Sequence, residues 1–494
     1  MPLRRYLWSE SAPVWPLLAT VALLSFIRLG TPELWTLEGR WAVICARMIR
    51  SGDYLHPYLF NVPYYDKPLL SYWLMIAAAR AIGRLNELAL RLPVALSGVL
   101  AVWCTVQVGS KRFGRTTGLI AGYLLGTCVM FVFWSRVASA DMMNVAGTMA
   151  AMAWYFERKE DPGFTTFAVF FLILAVTALT KGLIGPALAI LVLIPEWASE
   201  RDWRRWLRPA LLPALLLALV VYLAPFLLSS LNAPAGYGES GLAMVFRENA
   251  VRYLDPFDHQ EPVYTYLIDA PVYLLPWSLF LPFVIWKMIR GWQESSPASR
   301  WIAWSCLLIF LFLTASGSRR SYYVLPLLPF ATLMIADWLV SAGDDGNAKR
   351  AAAWTVAGVS ALLLFWFGVA SPFGLRYGGQ RHFAREVRAT AEKAAPWREW
   401  RMLQCGAPPS IGYYIETETE PSVVDWTDQQ GIRTFLDANP RTILVTKRRF
   451  LESIHALVPA AAMVDEPPRL PGFLRSHRDS GRDLVALLSS TGGK

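Results

Sequence analysis

Five short segments of this 494-residue chain bring acids, bases and aromatic side chains to the ends of long apolar runs. An ionisable group at such a place is costly unless it has a partner or a task. The first segment is Leu34-Trp35-Thr36-Leu37-Glu38-Gly39-Arg40-Trp41. Glu38 and Arg40 suit a solvated ion pair. They equally suit a carboxylate held by Arg40 that orients or deprotonates a hydroxyl, or stabilises a positively charged carbon. The second is Tyr64-Tyr65-Asp66-Lys67-Pro68-Leu69. Pro68 fits a first helical turn, and Asp66 and Lys67 then sit at a helix start where backbone N–H groups favour anions. That is a capped amphipathic helix or a phosphate seat, with Tyr65 beside it. The third is Ser135-Arg136-Val137-Ala138-Ser139-Ala140-Asp141. Asp141 opens an apolar run, as a capping acid does and as a catalytic carboxylate would. The fourth is Thr180-Lys181-Gly182, and the fifth Ser318-Arg319-Arg320-Ser321-Tyr322-Tyr323-Val324-Leu325-Pro326. Their cations call for a local anion, with pairing to Asp or Glu as the competing reading. A further stretch, Arg252 to Pro262, adds Arg252 as an anion contact and His259, one of five His. Asp66 with His259 is a weak candidate pair for a divalent metal.

The elements that position these residues are set by composition. Hydrophobic residues make up 55% of the chain and charged ones only 17%, against about 25% charged in soluble domains. Apolar runs fall near 13–29, 88–109, 116–135, 141–157, 164–180, 182–197, 209–230, 263–288, 301–316, 321–340 and 351–370, most of them long enough to span a bilayer. The net charge of +10 is carried by Lys and Arg in short connections, which orients membrane proteins and does not indicate nucleic acid. Many of the 22 Trp stand at run ends, Trp15, Trp197, Trp286 and Trp301 among them, as headgroup-level anchors do. Five Cys show no CxxC spacing and no disulfide framework. Arg4 and Arg5 precede the first run without a small-residue cleavage site, so that run reads as an uncleaved span.

Stretch 68–83 is short and carries Ser71, Tyr72 and Arg80, and reads as an interfacial or re-entrant helix. The cytoplasmic connections then carry Lys111/Arg112/Arg115, Arg158/Lys159, Arg201 to Arg208, Lys287 to Arg300 and Lys349/Arg350. The short outer ones carry only Arg136, Lys181 and Arg319/Arg320. That bias places the N-terminus inside and leaves loops 30–87 and 231–262 and the tail from about 371 outside. The expected architecture is an all-α polytopic membrane domain over 1–370, with about 11–13 transmembrane helices plus interfacial ones. A small soluble α/β domain follows over 371–494. Its strand-like stretches are Ser422–Trp426, Thr442–Thr446 and Asp483–Leu488, with helical stretches near 428–438 and 447–455.

Taken in order, the five motifs resemble the GT-C glycosyltransferases, nearest the branch of lipid A aminoarabinose transferases and protein O-mannosyltransferase relatives. The resemblance covers roughly the first 340 residues. It implies a polyprenyl-phosphate sugar donor, an acceptor that is a lipid, glycan or protein, and inverting transfer on the periplasmic face of a bacterial inner membrane. It carries catalytic roles to Glu38, Asp141 and Arg40, donor-phosphate contacts to Lys67, Lys181, Arg319 and Arg320, and a metal site to Asp66 and, less securely, His259. One departure stands out: the family usually has Asp-Glu in the first loop, and here Leu37 stands where that Asp would be. A polyprenyl-phosphate-sugar transporter or flippase also needs a groove and phosphate-binding cations. Such proteins tend to show repeats and midplane charges, which this chain lacks. A non-catalytic scaffold displaying the tail leaves the outer acids without purpose.

Overall fold

The computed structural model describes residues 11–35, 37–200, 208–237, 241, 261–341, 346–371, 379–458, 461–466 and 483–490. In chain order the helices are α1 (Trp15–Phe26), α2 (Glu38–Ser51), α3 (Leu70–Ile82), α4 (Glu87–Phe113), α5 (Arg115–Gly126), α6 (Val129–Trp134), α7 (Asp141–Arg158), α8 (Phe164–Lys181), α9 (Ile184–Glu200), α10 (Leu211–Leu231), α11 (Thr265–Tyr273), α12 (Leu281–Arg290), α13 (Pro297–Ala315), α14 (Leu328–Ser341) and α15 (Gly346–Phe365). A two-residue hairpin, β1 (Tyr58–Leu59) and β2 (Val62–Pro63), precedes α3. The tail holds α16 (Gln380–Ala394), β3 (Arg401–Cys405), α17 (Pro409–Ile415), β4 (Ser422–Val423), α18 (Gln429–Ala438), β5 (Arg441–Lys447), α19 (Leu451–His455), β6 (Ala462–Asp465) and β7 (Leu484–Ser490). Internal contacts divide the chain into two compact units: Met1–Leu29, Tyr65–Ala78 and Arg91–Trp366 form one, and Gly30–Tyr64, Ala79–Leu90 and Phe367–Lys494 the other.

The first unit is helical and apolar. Among the described residues, six helices are long and apolar enough to cross a membrane, or seven if α11 and the segment Trp277–Arg290, bent by 111°, count as one. Fewer helices pass that test than the 11–13 spans expected, because others are short or interrupted. Helix α3 has 13 residues, or ~20 Å at 1.5 Å per residue, less than the bilayer's hydrocarbon. Runs 116–135 and 263–288 are broken, not continuous. Val129 N–H donates to Leu275 O at 3.1 Å, and Trp277 Nε1 donates to Thr127 Oγ1 at 3.1 Å. Each break thus satisfies polar groups that the other exposes, which is the condition for irregular backbone in an apolar region.

Close approach of α7, α8 and α9 rests on two glycines. A Cβ on Gly147 would meet Thr177 Oγ1 at 2.0 Å, and one on Gly185 would meet Asn144 Oδ1 at 2.5 Å. Asp141 lies in the first turn of α7 and Arg158 in its last, each matched in sign to the helix dipole.

The second unit contains a five-stranded sheet ordered β4-β3-β5-β7-β6. β3 pairs in parallel with β4 and β5, and β7 antiparallel with β5 and β6. Alternate residues serve two cores, as the period of two requires. Met402, Ile443 and Ala486 pack with Phe383, Val387 and Ile411. Leu403, Leu444 and Val485 pack with Ile432 and Ile454. The three strand-like stretches read from sequence are β4, β5 and β7, and the two helical ones are α18 and the segment around α19. Strands β3 and β6 and helices α16 and α17 were not foreseen, and the stretch after the first span, 30–64, is compact with this sheet.

Candidate active site

In the first unit, three of the five motifs converge. Asp141, 8% exposed, opens α7, and Lys181 closes α8. Lys181 Nζ donates to Asp141 Oδ1 at 2.5 Å and stands 4.5 Å from the Tyr323 ring centroid. Tyr323 meets Tyr322 edge-on at 5.1 Å, and Tyr322 packs on Trp134 at 4.6 Å. Arg320 Nη1 donates to Tyr322 Oη at 2.7 Å, and its Nε is buried without a hydrogen-bond partner among the described residues. The anion that Lys181 calls for is therefore supplied by Asp141, as the competing reading had it. An acid–base pair against a tyrosine face can polarise a hydroxyl or counter a phosphate once a ligand divides it.

The two arginines of the fifth motif separate. Arg319 is taken up by carbonyl groups, Thr314 O at 3.2 and 3.1 Å and Glu261 O at 2.7 Å, near the end of α13, where helix carbonyls lack partners. Arg320 is the member of the pair turned to the tyrosines. Arg136 has a similar structural role. It donates to Leu24 O, Ser25 O and Ile27 O at 2.7–2.9 Å and caps α1.

The second motif precedes α3. That helix begins at Leu70, so Pro68 lies just outside its first turn. Lys67 Nζ donates to Asp66 O at 2.9 Å and lies 3.4 Å from Asp66 Oδ2. Both side chains stay about one-fifth exposed, 22% and 20%. Ser71 donates to Thr180 O at 2.9 Å, which ties α3 to the residue before Lys181. Tyr65 is buried beside Phe226, and burial pushes its phenol up to about 12, so it stays protonated as a donor. For a metal, the described donors do not assemble a set. Asp66 faces an ammonium, and no three His, Cys, Asp or Glu side chains converge among the described residues. His259, like Arg252, lies outside the described residues.

The first motif belongs to the second unit. Glu38 is the first residue of α2 and fully buried, and it accepts from Trp35 N–H at 2.7 Å. Arg40 donates to Tyr64 Oη at 2.5 Å. Between them, a Cβ on Gly39 would come within 2.4 Å of Ser410 N, so the glycine of Glu-Gly-Arg permits α2 to lie against α17. Sequence reading missed a network close by. Glu33 accepts from the N–H groups of Gln380 and Arg381 at 2.9 and 2.8 Å, capping α16. Arg381 and Tyr414 both donate to Glu87 Oε1, at 3.0 and 2.8 Å. Only the acidic character of Glu33 and Glu87 was visible in the sequence; their partners lie some 300 residues away.

Residues 66–228 match the family model described as dolichyl-phosphate-mannose-protein mannosyltransferase. Undecaprenyl phosphate-alpha-4-amino-4-deoxy-L-arabinose arabinosyl transferase of Aeromonas salmonicida is 26% identical over 76% of this chain and 69% of its own length. The same enzyme of Shewanella sediminis is 24% identical over 70% and 64%. The structure of ArnT from Cupriavidus metallidurans bound to undecaprenyl phosphate superposes with a TM-score of 0.75 at 19% identity, over 97% of this chain and 99% of that one. The chain is a multi-pass membrane glycosyltransferase of the GT-C fold. Within that class it is similar to the aminoarabinose transferases, and the alignments span about two thirds of their length.

Proposed function

We propose that the protein moves a sugar from a polyprenyl-phosphate carrier to a lipid acceptor on the outer face of the membrane, with inversion. The observation that carries this reading is the cluster of Asp141, Lys181, Tyr322, Tyr323 and Arg320, in which helix ends hold fixed charges of both signs. The relatives named above act with undecaprenyl phosphate and an aminopentose. The acceptor oxygen attacks the anomeric carbon from the face opposite the phosphate. The bond from that carbon to the phosphate oxygen breaks, and its electron pair stays on the phosphate.

Lys67, Lys181 and Arg320 stabilise the negative charge that develops there, with Tyr65 as a neutral donor and Arg252 as a further cation. Where the acceptor is a hydroxyl, Asp141 or Glu38 takes its proton; where it is an ionised phosphate, the carboxylate only orients it. Arg40 positions the start of α2 through Tyr64. Leu37 in place of the family's Asp gives more of this work to Asp141 and Glu38.

Incubating the purified protein with radiolabelled polyprenyl-phosphate sugars and membrane extract should release carrier phosphate and move label to a lipid. Glu38→Ala and Asp141→Ala should each lower that transfer by at least ~100-fold. Tight donor binding without transfer, for every sugar offered, would replace this reading with carrier transport.

The positive-inside pattern puts the N-terminus in the cytoplasm and the tail in the periplasm of a bacterial inner membrane. Single cysteines at 111–115 should then react only with a reagent that enters the cell; outside labelling would reverse the orientation.

A further inference from the structure

The short helix α17 belongs to none of the five motifs, yet it grips the segment that leads into the first of them. Tyr414 Oη accepts from Leu34 N–H at 2.8 Å and donates to Glu87 Oε1 at 2.8 Å, so the phenol works as donor and acceptor at once. Leu34 is buried, and a buried N–H is costly to leave unmet. The next peptide carries the other half of the arrangement. Trp35 N–H donates to Glu38 Oε2 at 2.7 Å, and Glu38 N–H returns to Trp35 O at 2.8 Å. Two further residues of α17 hold the surroundings: Tyr413 Oη donates to Leu85 O at 3.0 Å, and Ser410 leaves Gly39 no space for a Cβ.

Tyr414 is itself fixed. Its partner Glu87 also accepts from Arg381 Nε at 3.0 Å, and the same guanidinium reaches Thr31 O at 3.3 Å. Burial, and then the charge of Glu87, push the Tyr414 phenol above its ordinary range, so its proton stays on the bond to Glu87. Glu33, Leu34 and Trp35 thus have successive anchors: the start of α16, a phenol of α17 and the carboxylate of Glu38. A helix start needs only the reciprocal bonds between Glu38 and Trp35. The Tyr414 hydroxyl lies outside that cap and fixes the peptide before it. Any tilt of the Trp35 peptide carries the Glu38 carboxylate with it, and a misplacement of about 1 Å at a reacting group can cost ~100-fold in rate.

We propose that Tyr414 is a positioning residue for sugar transfer: through Leu34 and Trp35 it holds the Glu38 carboxylate in its reacting direction. This rests on the reading above, in which Glu38 meets the acceptor. The test measures kcat, KM and the thermal melt with an undecaprenyl-phosphate aminopentose and membrane extract, for the full-length protein, Tyr414→Phe, Glu38→Ala and the double variant. Tyr414→Phe keeps the ring and loses both hydrogen bonds. Its kcat should fall about 10-fold, with KM for the donor and the melt near wild type. The double variant should be no slower than Glu38→Ala alone, because a residue that acts through Glu38 then has nothing to position. Tyr413→Phe, which loses a hydroxyl bond from the same helix, is the control and should keep the wild-type kcat. Losses that multiply in the double variant overturn the assignment. So does an unchanged kcat in Tyr414→Phe, or an equal loss in Tyr413→Phe, which would mark a structural role; each of these leaves the transfer reading standing. Wild-type transfer by Glu38→Ala would instead overturn the role of Glu38 and the positioning with it, and no transfer by the wild type would overturn the donor reading itself.

Discussion

Asp141 and Lys181 hold one another at 2.5 Å, and Lys67 stands beside the partly exposed Asp66. These two lysines should therefore fail differently when removed. Lys181→Met leaves a nearly buried carboxylate without its counter-ion, which costs on the order of 3 kcal/mol; a thermal melt should shift down and transfer should fall with it. Lys67→Ala should leave the melt within error of wild type while lowering turnover about 100-fold, since the charge it stabilises is on the ligand. Normal turnover in Lys67→Ala would remove Lys67 from the site. The types of these residues were legible in the sequence. Their pairing was not: nothing along the chain distinguishes Asp141 as the partner of Lys181 from Asp66, or shows that Arg319 and Arg136 are occupied by helix carbonyls while Arg320 is not.

At the scale of elements, the site depends on how closely helices approach. Gly147 faces Thr177 with no room for a Cβ, and the ends of those same helices carry Asp141 and Lys181. Gly147→Val should force α7 and α8 apart, destabilise the fold by about 1–3 kcal/mol and reduce transfer more than a comparable loss of stability elsewhere. A variant with wild-type transfer would show that the approach does not set the ion pair. The boundaries of α7 and α8 follow directly from their apolar runs. The breaks in runs 116–135 and 263–288 do not, because each is stabilised by the other across about 150 residues.

For the whole molecule, the notable feature is the membership of the second unit. The stretch 30–64, which carries Glu38 and Arg40, is compact with the C-terminal sheet. Glu33 caps α16, Leu34 N–H donates to Tyr414 Oη at 2.8 Å, and Gly39 lies on Ser410. Truncation after residue 366 removes all of these partners. Limited proteolysis should then cut within 30–64, where the intact protein resists. Protection in the truncated protein would mean that α2 is held without the tail.

The sequence by itself determined the membrane class, the positions of most helices, the five motifs and the α/β character of the tail. Those properties depend on apolarity, charge and side-chain period, which are read locally along the chain. Only the tertiary structure decided which charges are paired, which arginines cap helices, where two runs break, and that Tyr414 holds the peptide next to the one that Glu38 binds. Such facts depend on contacts between residues far apart in sequence, and the contact from Glu33 to Gln380 crosses 347 positions. A carboxylate has the same composition whether it caps a helix, holds a lysine or waits for a ligand; its surroundings in the fold make the difference.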